Sequence, residues 1–384
     1  MTDLLYSEIE EELRASVRAL LTDRCPHENT LGRCETGEPY DRGLWQTLAR
    51  DLGTASLAVP EEAGGAGASV REAAVVLEEL GRASAPTPYL GSAVLATTAL
   101  LALEGTDGDS GDSGAGEASK LLASLAAGER TAALAVPLSV MPGAGTFPSA
   151  VRADSAGTLT GTVTSVADAT AADVLIVPAE GRDGPGLYAV ETTAAALAVV
   201  PRTSLDLTRP VADVTLTGTA ARRLAGAEQA PAALERALLT GAGLLASEQL
   251  GIAEWCLTAT VAHLKDRRQF GRQLGSFQAL KHRLADLWLE VVGARAAARY
   301  AADTLATGDP DAPVAVAVAA SHCGELAVRA AEECVQLHGG IGMTWEHPAH
   351  LYLKRAKADQ IALGTPDRHR AALAALVDLP APVG

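Results

Sequence analysis

Aromatic residues are scarce in this chain: three Phe, four Trp and six Tyr amount to 3% of 384 residues. An aromatic-cored β fold is therefore disfavoured, and the abundant alanine within a 48% apolar composition favours closely packed helices. Cysteine is sparse as well. Cys25, Cys34, Cys256, Cys323 and Cys334 are odd in number, form no CxxC pair and stand at no zinc-site spacing from histidine. Neither a disulfide framework nor a structural zinc site is expected, and Cys25 and Cys34 around His27 match no common metal corner. Basic charge is in deficit: the formal net charge of −16 argues against nucleic acid or an anionic membrane as the main partner. The first residues, MTDLLYSEIEEE, have neither a basic start nor an apolar centre, so they do not read as a secretory signal. No apolar run reaches membrane-spanning length without a polar or glycine interruption. A cytoplasmic protein is expected.

What the chain does contain falls into three stretches, expected as domains over 1–128, 129–226 and 227–384. In the first, residues 3–23 read as an amphipathic helix with Leu4, Leu5, Ile9, Leu13, Val17, Leu20 and Leu21 on one side. A second helix is expected around Leu44–Asp51 and a third over Val70–Ala83, capped by Ser69 with Glu72 three residues on. A fourth runs from about Leu90 to Leu103. The run EGTDGDSGDSGAGE, Glu104 to Glu117, reads as an acidic surface loop in which Ser110 and Ser113 are inert. From Thr131 short β-branched runs appear: Ala132–Val136, Thr158–Val166, Val174–Pro178, Leu187–Glu191, Ala198–Pro201 and Val214–Gly218. Leu159-Thr-Gly161-Thr-Val163 reads as strand, turn, strand. After Gly226 four long helical segments follow, roughly Pro231–Arg268, Phe277–Gly308, Pro313–Leu337 and His347–Val377. They predict an antiparallel four-helix bundle, with Leu284, Leu287, Trp288, Val291, Ala294 and Ala298 on one stripe.

The joint before the last segment, Gln336-Leu-His338-Gly339-Gly340-Ile-Gly342, allows two readings. It is either a glycine helix stop or a place where backbone approaches a phosphate. Neighbouring words decide between them. The chain resembles the acyl-CoA dehydrogenase family over nearly its whole length. The resemblance is carried by Leu57-Ala-Val-Pro60-Glu61-Glu62-Ala-Gly64-Gly65-Ala-Gly67, Leu77-Glu78-Glu79-Leu80-Gly81-Arg82, Arg267-Arg-Gln269-Phe270-Gly271, Phe277-Gln278 and the Gln336–Gly342 joint, in that order. It implies the family's fold: an N-terminal helical domain, a small β-barrel-like domain and a C-terminal four-helix bundle. It also implies FAD as cofactor, an acyl-CoA substrate and an electron-transfer flavoprotein as electron acceptor. Arg267 would meet the FAD pyrophosphate, with Gln269, Phe270 and Gln278 beside the ADP half, and Gln336, Gly339, Gly340 and Gly342 completing the cradle. The residue types suit such a ligand, with a charged fork for phosphates, amides for adenine edges and glycines for close approach. In the family this cradle serves a flavin lying mainly in a neighbouring subunit.

Two departures matter. The family's chemistry needs a carboxylate to take the α-proton of the thioester while hydride passes to the flavin. The usual glutamate position corresponds here to Leu363, in Ala362-Leu363-Gly364-Thr365, and the alternative position to Gly241, with Ala242 beside it. Neither residue can take a proton, so no catalytic residue is assigned. The acidic and hydroxyl words that hold the flavin ring and thioester are replaced by Pro137-Leu-Ser-Val-Met141-Pro-Gly-Ala-Gly145. Three expectations follow. The first is the base-lacking subunit of a heteromeric (α2β2) acyl-CoA dehydrogenase, such as those of steroid side-chain degradation, paired with a homologous chain that carries the glutamate. The second is an enzyme with a base relocated to Glu248, Glu346 or Glu235, of which Glu248 and Glu235 otherwise read as solvated helix-face charges. The third is a flavin-free binding or scaffolding relative. His338 reads as a pyrophosphate contact or as a histidine facing a helix C-terminus; His347 and His350 read as surface groups. No word supplies nucleophile context for hydrolysis.

Overall fold

The computed structural model describes residues 4–38, 40–104, 113–143, 145, 147–148 and 150–380. In chain order the helices are α1 (Glu8–Arg24), α2 (His27–Cys34), α3 (Arg42–Gln46), α4 (Val70–Ala83), α5 (Thr97–Leu101), α6 (Ser113–Ala126), α7 (Ala230–Asp266), α8 (Gln278–Thr307), α9 (Ala312–His338), α10 (Ala349–Ile361) and α11 (Pro366–Leu376). The strands are β1 (Ala132–Leu134), β2 (Val151–Ala153), β3 (Thr158–Ala167), β4 (Val174–Gly181), β5 (Gly184–Glu191), β6 (Leu197–Arg202), β7 (Val211–Ala220) and β8 (Arg222–Ala225), followed by a two-residue pair, β9 (Arg268–Gln269) and β10 (Arg272–Gln273). The order of helices, then strands, then helices is the one expected from the sequence. In its contacts the chain forms two compact units, each assembled from separate stretches: 38–73 with 86–242, and 1–37 with 74–85 and 243–384.

The unit 38–73 with 86–242 is built on one sheet in the order β6-β7-β3-β2-β4-β5-β8, with β1 added parallel to β4. Its core is aliphatic, as the shortage of aromatics requires: Val151, Leu159, Val163, Val166, Leu175, Val177, Val190, Val214 and Leu216 are all buried. Six of the strands follow the expected runs. The word Leu159–Val163 does not turn. It lies inside the continuous strand β3, where Gly161 pairs with Val151 and Leu216, and a Cβ there would sit 2.4 Å from the Ala150 carbonyl oxygen. The glycine serves close strand approach. Leu90–Leu103 begins as a π-helical stretch, Leu90–Ala96, that continues into α5. The expected acidic loop is shorter than Glu104–Glu117, because α6 already begins at Ser113 and buries Ala118, Leu121, Leu122 and Leu125. Residues 105–112, with Ser110, lie outside the described residues. Ser69 and Glu72 cap α4 as expected: Glu72 accepts from the Ser69 amide at 2.8 Å, and Ser69 Oγ accepts from the Arg71 amide at 3.0 Å.

The other unit is helical. α1 starts later than its apolar pattern, because Ser7 and Glu10 form a reciprocal capping box at its head. Leu5, before the helix, and Ile9, in its first turn, are exposed (72% each), while Val17 and Leu21 are buried. α4 and α7 touch at backbone distance. A Cβ on Gly81 would lie 2.1 Å from the Glu248 carbonyl oxygen, and one on Gly251 would lie 1.9 Å from that of Glu78. The glycine in the word Leu77–Arg82 therefore serves helix packing. α9 packs against α8, α10 and α11. Although α9 and the turn after it are long and apolar enough to cross a membrane, 67% of that window is buried in the protein, as in a core helix. On α8, Leu287, Val291, Ala294 and Ala298 face inward, but Trp288 of the expected stripe is 55% exposed. The segment expected as one helix from His347 to Val377 is two. α10 ends at Ile361, and Leu363 (φ +53°) and Gly364 (φ +109°) turn the chain before Thr365 caps α11.

Several buried charges are paired. Arg14 of α1 meets Glu78 and Glu79 of α4 at 3.1 Å each, and Arg18 meets Glu79 at 2.5 Å. Arg355 of α10, 2% exposed, donates to Glu248 of α7 at 2.6 Å. Removing one partner of such a pair leaves the other charged and dry, at a cost of about 3–5 kcal/mol.

Candidate cofactor site

The Arg267 word folds into a tight hairpin at the end of α7. Gln269 pairs with Arg272 and Arg268 with Gln273 across the turn Phe270-Gly271. Both turn residues are left-handed, with φ +53° and +73°, as a primed two-residue hairpin turn requires. The first position normally takes Asn, Asp or Gly. Here it is Phe270, 88% exposed, its ring 6.2 Å from that of Phe277, over which the Arg272 guanidinium also lies at 3.8 Å. A bulky residue held left-handed on the surface stores about 1–3 kcal/mol. The hairpin closes on α7 through the Leu274 amide, which donates to the Arg267 carbonyl at 2.9 Å. Arg267, Gln269 and Gln278 are all exposed.

The glycine joint forms the second part. α9 stops at His338 because Gly339 takes φ +66° and ψ −142°, a backbone shape reserved for glycine. A 3-10 turn, Gly339–Met343, follows. Its three glycines differ. A Cβ on Gly339 or Gly340 would meet nothing within 4 Å, so both face open space. Gly342 is buried, and a Cβ there would press to 2.6 Å from the Val335 carbonyl oxygen; it seats the turn on the last turn of α9. Gln336 is exposed on that same turn. α10 does not start at the glycines but at Ala349, so its amide end is not presented by the GGIG word itself.

Between hairpin and joint lies a contact that sequence reasoning missed. The ring of His263, on the last turn of α7, lies 4.3 Å from that of His338, and His338 lies 4.4 Å from His347. Arg267 follows His263 by one turn, its amide donating to the His263 carbonyl at 2.8 Å. Arg267 and Gly339 are thus brought to one end of the helices through two touching histidines. His338 is buried and His347 half-buried; neither is a simple surface group. The available signal was the spacing His338-x8-His347 around a turn. Further along, Trp345 Nε1 donates to Glu35 at 3.0 Å and His350 stacks on the Trp345 ring at 4.5 Å.

The two positions at which the resemblance places the base are buried. Leu363 is 1% exposed and its carbonyl oxygen lies 3.0 Å from His369 Nε2. Gly241 is buried within α7. Among the proposed relocated bases, Glu248 is no solvated charge: it is 0% exposed and consumed by Arg355. Glu346 is exposed. Glu235 rims a cleft of about 240 Å³ lined by Val140, Met141, Phe147, Leu234 and Leu238. The Gly143 amide donates to its carboxylate at 2.7 Å, yet partial burial pushes the carboxyl above its usual range. The described part of the loop Pro137–Gly145 offers this cleft apolar side chains and one backbone donor.

The helical unit carries the arginine hairpin and the open double glycine, and the same chain carries an eight-stranded sheet unit. The chain belongs to the acyl-CoA dehydrogenase family, oxidoreductases acting on CH–CH donors. Residues 7–108 match the family's N-terminal domain and residues 231–377 its C-terminal domain. It is similar to the acyl-CoA dehydrogenase IpdE2 of Mycolicibacterium smegmatis, 37% identical over 94% of this chain and 96% of the relative. Two solved structures extend the likeness. The Tcur3481-Tcur3483 steroid ACAD is 31% identical with a TM-score of 0.81, covering 97% of this chain and 98% of that one. The ChsE4-ChsE5 complex from Mycobacterium tuberculosis is 30% identical with a TM-score of 0.84, covering 99% and 100%.

Proposed function

We propose that this chain is the base-lacking subunit of a heteromeric acyl-CoA dehydrogenase and that it supplies the cradle for the ADP half of an FAD. The observation that carries this is the state of the two base positions. Leu363 and Gly241 have no proton-accepting group and are buried, while Arg267, Gln269, Gln278, Gln336, Gly339 and Gly340 stay exposed at one end of the helices.

These residues fit the group. Arg267 provides a fork of donors for two phosphates, and the open Gly339 and Gly340 let backbone amides approach without a Cβ in the way. Gln269, Gln278 and Gln336 offer amides for adenine and ribose edges, and the exposed Phe270 ring offers a flat apolar face. Bound FAD supplies hydride acceptance; what this chain's residues do is bind and orient. A homologous subunit then supplies the glutamate that takes the α-proton, and an electron-transfer flavoprotein accepts the electrons.

An exposed apolar face of α8 supports a partner subunit there. Trp288, Leu289, Val292 and Tyr300 of α8 are 55%, 62%, 38% and 38% exposed, a density of apolar side chains that free surfaces seldom carry. Both solved relatives are named as pairs of different proteins, and one as a steroid enzyme, which makes a steroid side-chain CoA thioester the substrate class we favour. The test is purification of the chain alone and with its homologous partner. The pair is expected to hold fewer flavins than subunits and to oxidise acyl-CoA. Full flavin occupancy and turnover from the chain alone would refute the proposal.

A further inference from the structure

The His263–His338–His347 stack has no role in the reading above, although it joins the two halves of the cradle. We propose that this stack is a positioning element that carries a single proton, on His338, beside the phosphate-binding glycines, so that diphosphate affinity depends on pH. This inference rests on the cofactor reading.

Hydrogen bonding decides which ring holds the proton. His338 Nδ1 is 2.7 Å from the Cys334 carbonyl oxygen, an atom that can only accept, so Nδ1 carries a hydrogen and Nε2 is the site that titrates. His347 Nδ1 accepts from the Ala349 amide at 3.2 Å, which an imidazolium cannot do, so His347 stays neutral. Rings 4.3 and 4.4 Å apart cannot share more than one charge without strong repulsion.

The surroundings point the same way. Burial opposes charge on His338, but hydrogen bonding to the Cys334 side chain (Sγ at 3.6 Å) and carbonyl outweighs it and raises the imidazole above its ordinary value. Hydrogen bonds from Cys256, His338 and Thr260 lower the Cys334 thiol against the burial that opposes them. His347 is pushed down to about 4, first by burial and then by His338 and His263. Burial, His338 and Arg267 lower His263, against a small opposing pull from Asp266. His27 and His350 also face His347, and Lys354 faces His350. A cation is therefore held on the residue directly before Gly339, with the ring of its neighbour one helical turn from Arg267. The stack fixes the spacing of hairpin and glycine turn and adds positive charge where an anion is expected.

The first measurement is a histidine Cε1–H NMR titration of the chain without cofactor. One ring of the stack should hold its proton above pH 6.5 while the other two stay neutral below pH 6. Three rings titrating together at ordinary values would overturn the proposal. The second is FAD binding between pH 6 and 9 by the chain with its partner subunit. Affinity should fall about fivefold towards alkaline pH, the worth of one nearby charge. His338→Gln should flatten that profile. Arg267→Gln should weaken binding at every pH and keep the slope. An unchanged slope in His338→Gln would sink the histidine proposal alone, and undiminished binding in Arg267→Gln would sink the cradle itself. If His338→Gln fails to fold, Cys334→Ser supplies the comparison: it removes the thiol whose hydrogen bond raises His338, so the fall in affinity should move to lower pH, and an unmoved profile would overturn the proposal.

Discussion

Phe270 and Leu363 have the same backbone φ, +53°, and nothing else in common. Phe270 is 88% exposed at the tip of a two-strand hairpin; Leu363 is 1% exposed at the joint of two helices. Neither residue type favours this conformation, so the surroundings hold each in place. Around Leu363 the surroundings are the protein itself: the buried side chain, the neighbouring Gly364 at φ +109° and the His369 ring against its carbonyl. Around Phe270 they are a hairpin ladder and little more. At Leu363 the strain is sealed inside a core, and at Phe270 it is displayed on the surface next to the Arg267 hairpin.

The largest effect should come from putting the family's base back. Leu363→Glu introduces an unpaired carboxylate at a buried, left-handed position, and should lower unfolding free energy by about 3 kcal/mol or more in urea titration. No dehydrogenase activity should appear in the chain alone, since the flavin-ring words are also missing; turnover on acyl-CoA would break the comparison. Glycine at each strained position should separate the two sites by sign. Leu363→Gly loses a buried side chain and should cost about 1–3 kcal/mol even after strain is released. Phe270→Gly loses almost no burial and should leave stability unchanged or raise it by up to about 1 kcal/mol, while weakening FAD binding. The smallest effect on folding is expected at Trp288. Trp288→Asp should shift stability by no more than about 0.5 kcal/mol, because the ring is largely in solvent, yet reduce capture of the partner subunit by tenfold or more. Intact capture would place the partner elsewhere.

Much of this was legible in the chain. Strand runs such as Val174–Pro178 and Leu187–Glu191 are continuous apolar stretches between turn residues, and they became β4 and β5. The words Arg267–Gly271 and Gln336–Gly342 gain their meaning as a set, and the loss of a carboxylate at Leu363 needed no coordinates. Other features were not legible. Gly81, Gly161 and Gly342 all carry recognisable words or turn signals, but each is small because a particular backbone oxygen lies within 2.1 to 2.6 Å of where its Cβ would be. No local pattern distinguishes such a glycine from Gly339, which faces open space. Glu248 read as a solvated charge because a carboxylate on a helix usually is one; its partner Arg355 lies far along the chain.

Periodicity determined the helical and β stretches, the five recognised words in their order gave the family and its fold, and residue type alone puts a leucine and a glycine where the resemblance places the base, since each of these is a property of residues in sequence. Tertiary structure alone decided which glycines are open, which acids are spent in pairs, and that His263, His338 and His347 touch. Those are properties of distance, and residues remote in the chain acquire distances only when helices pack.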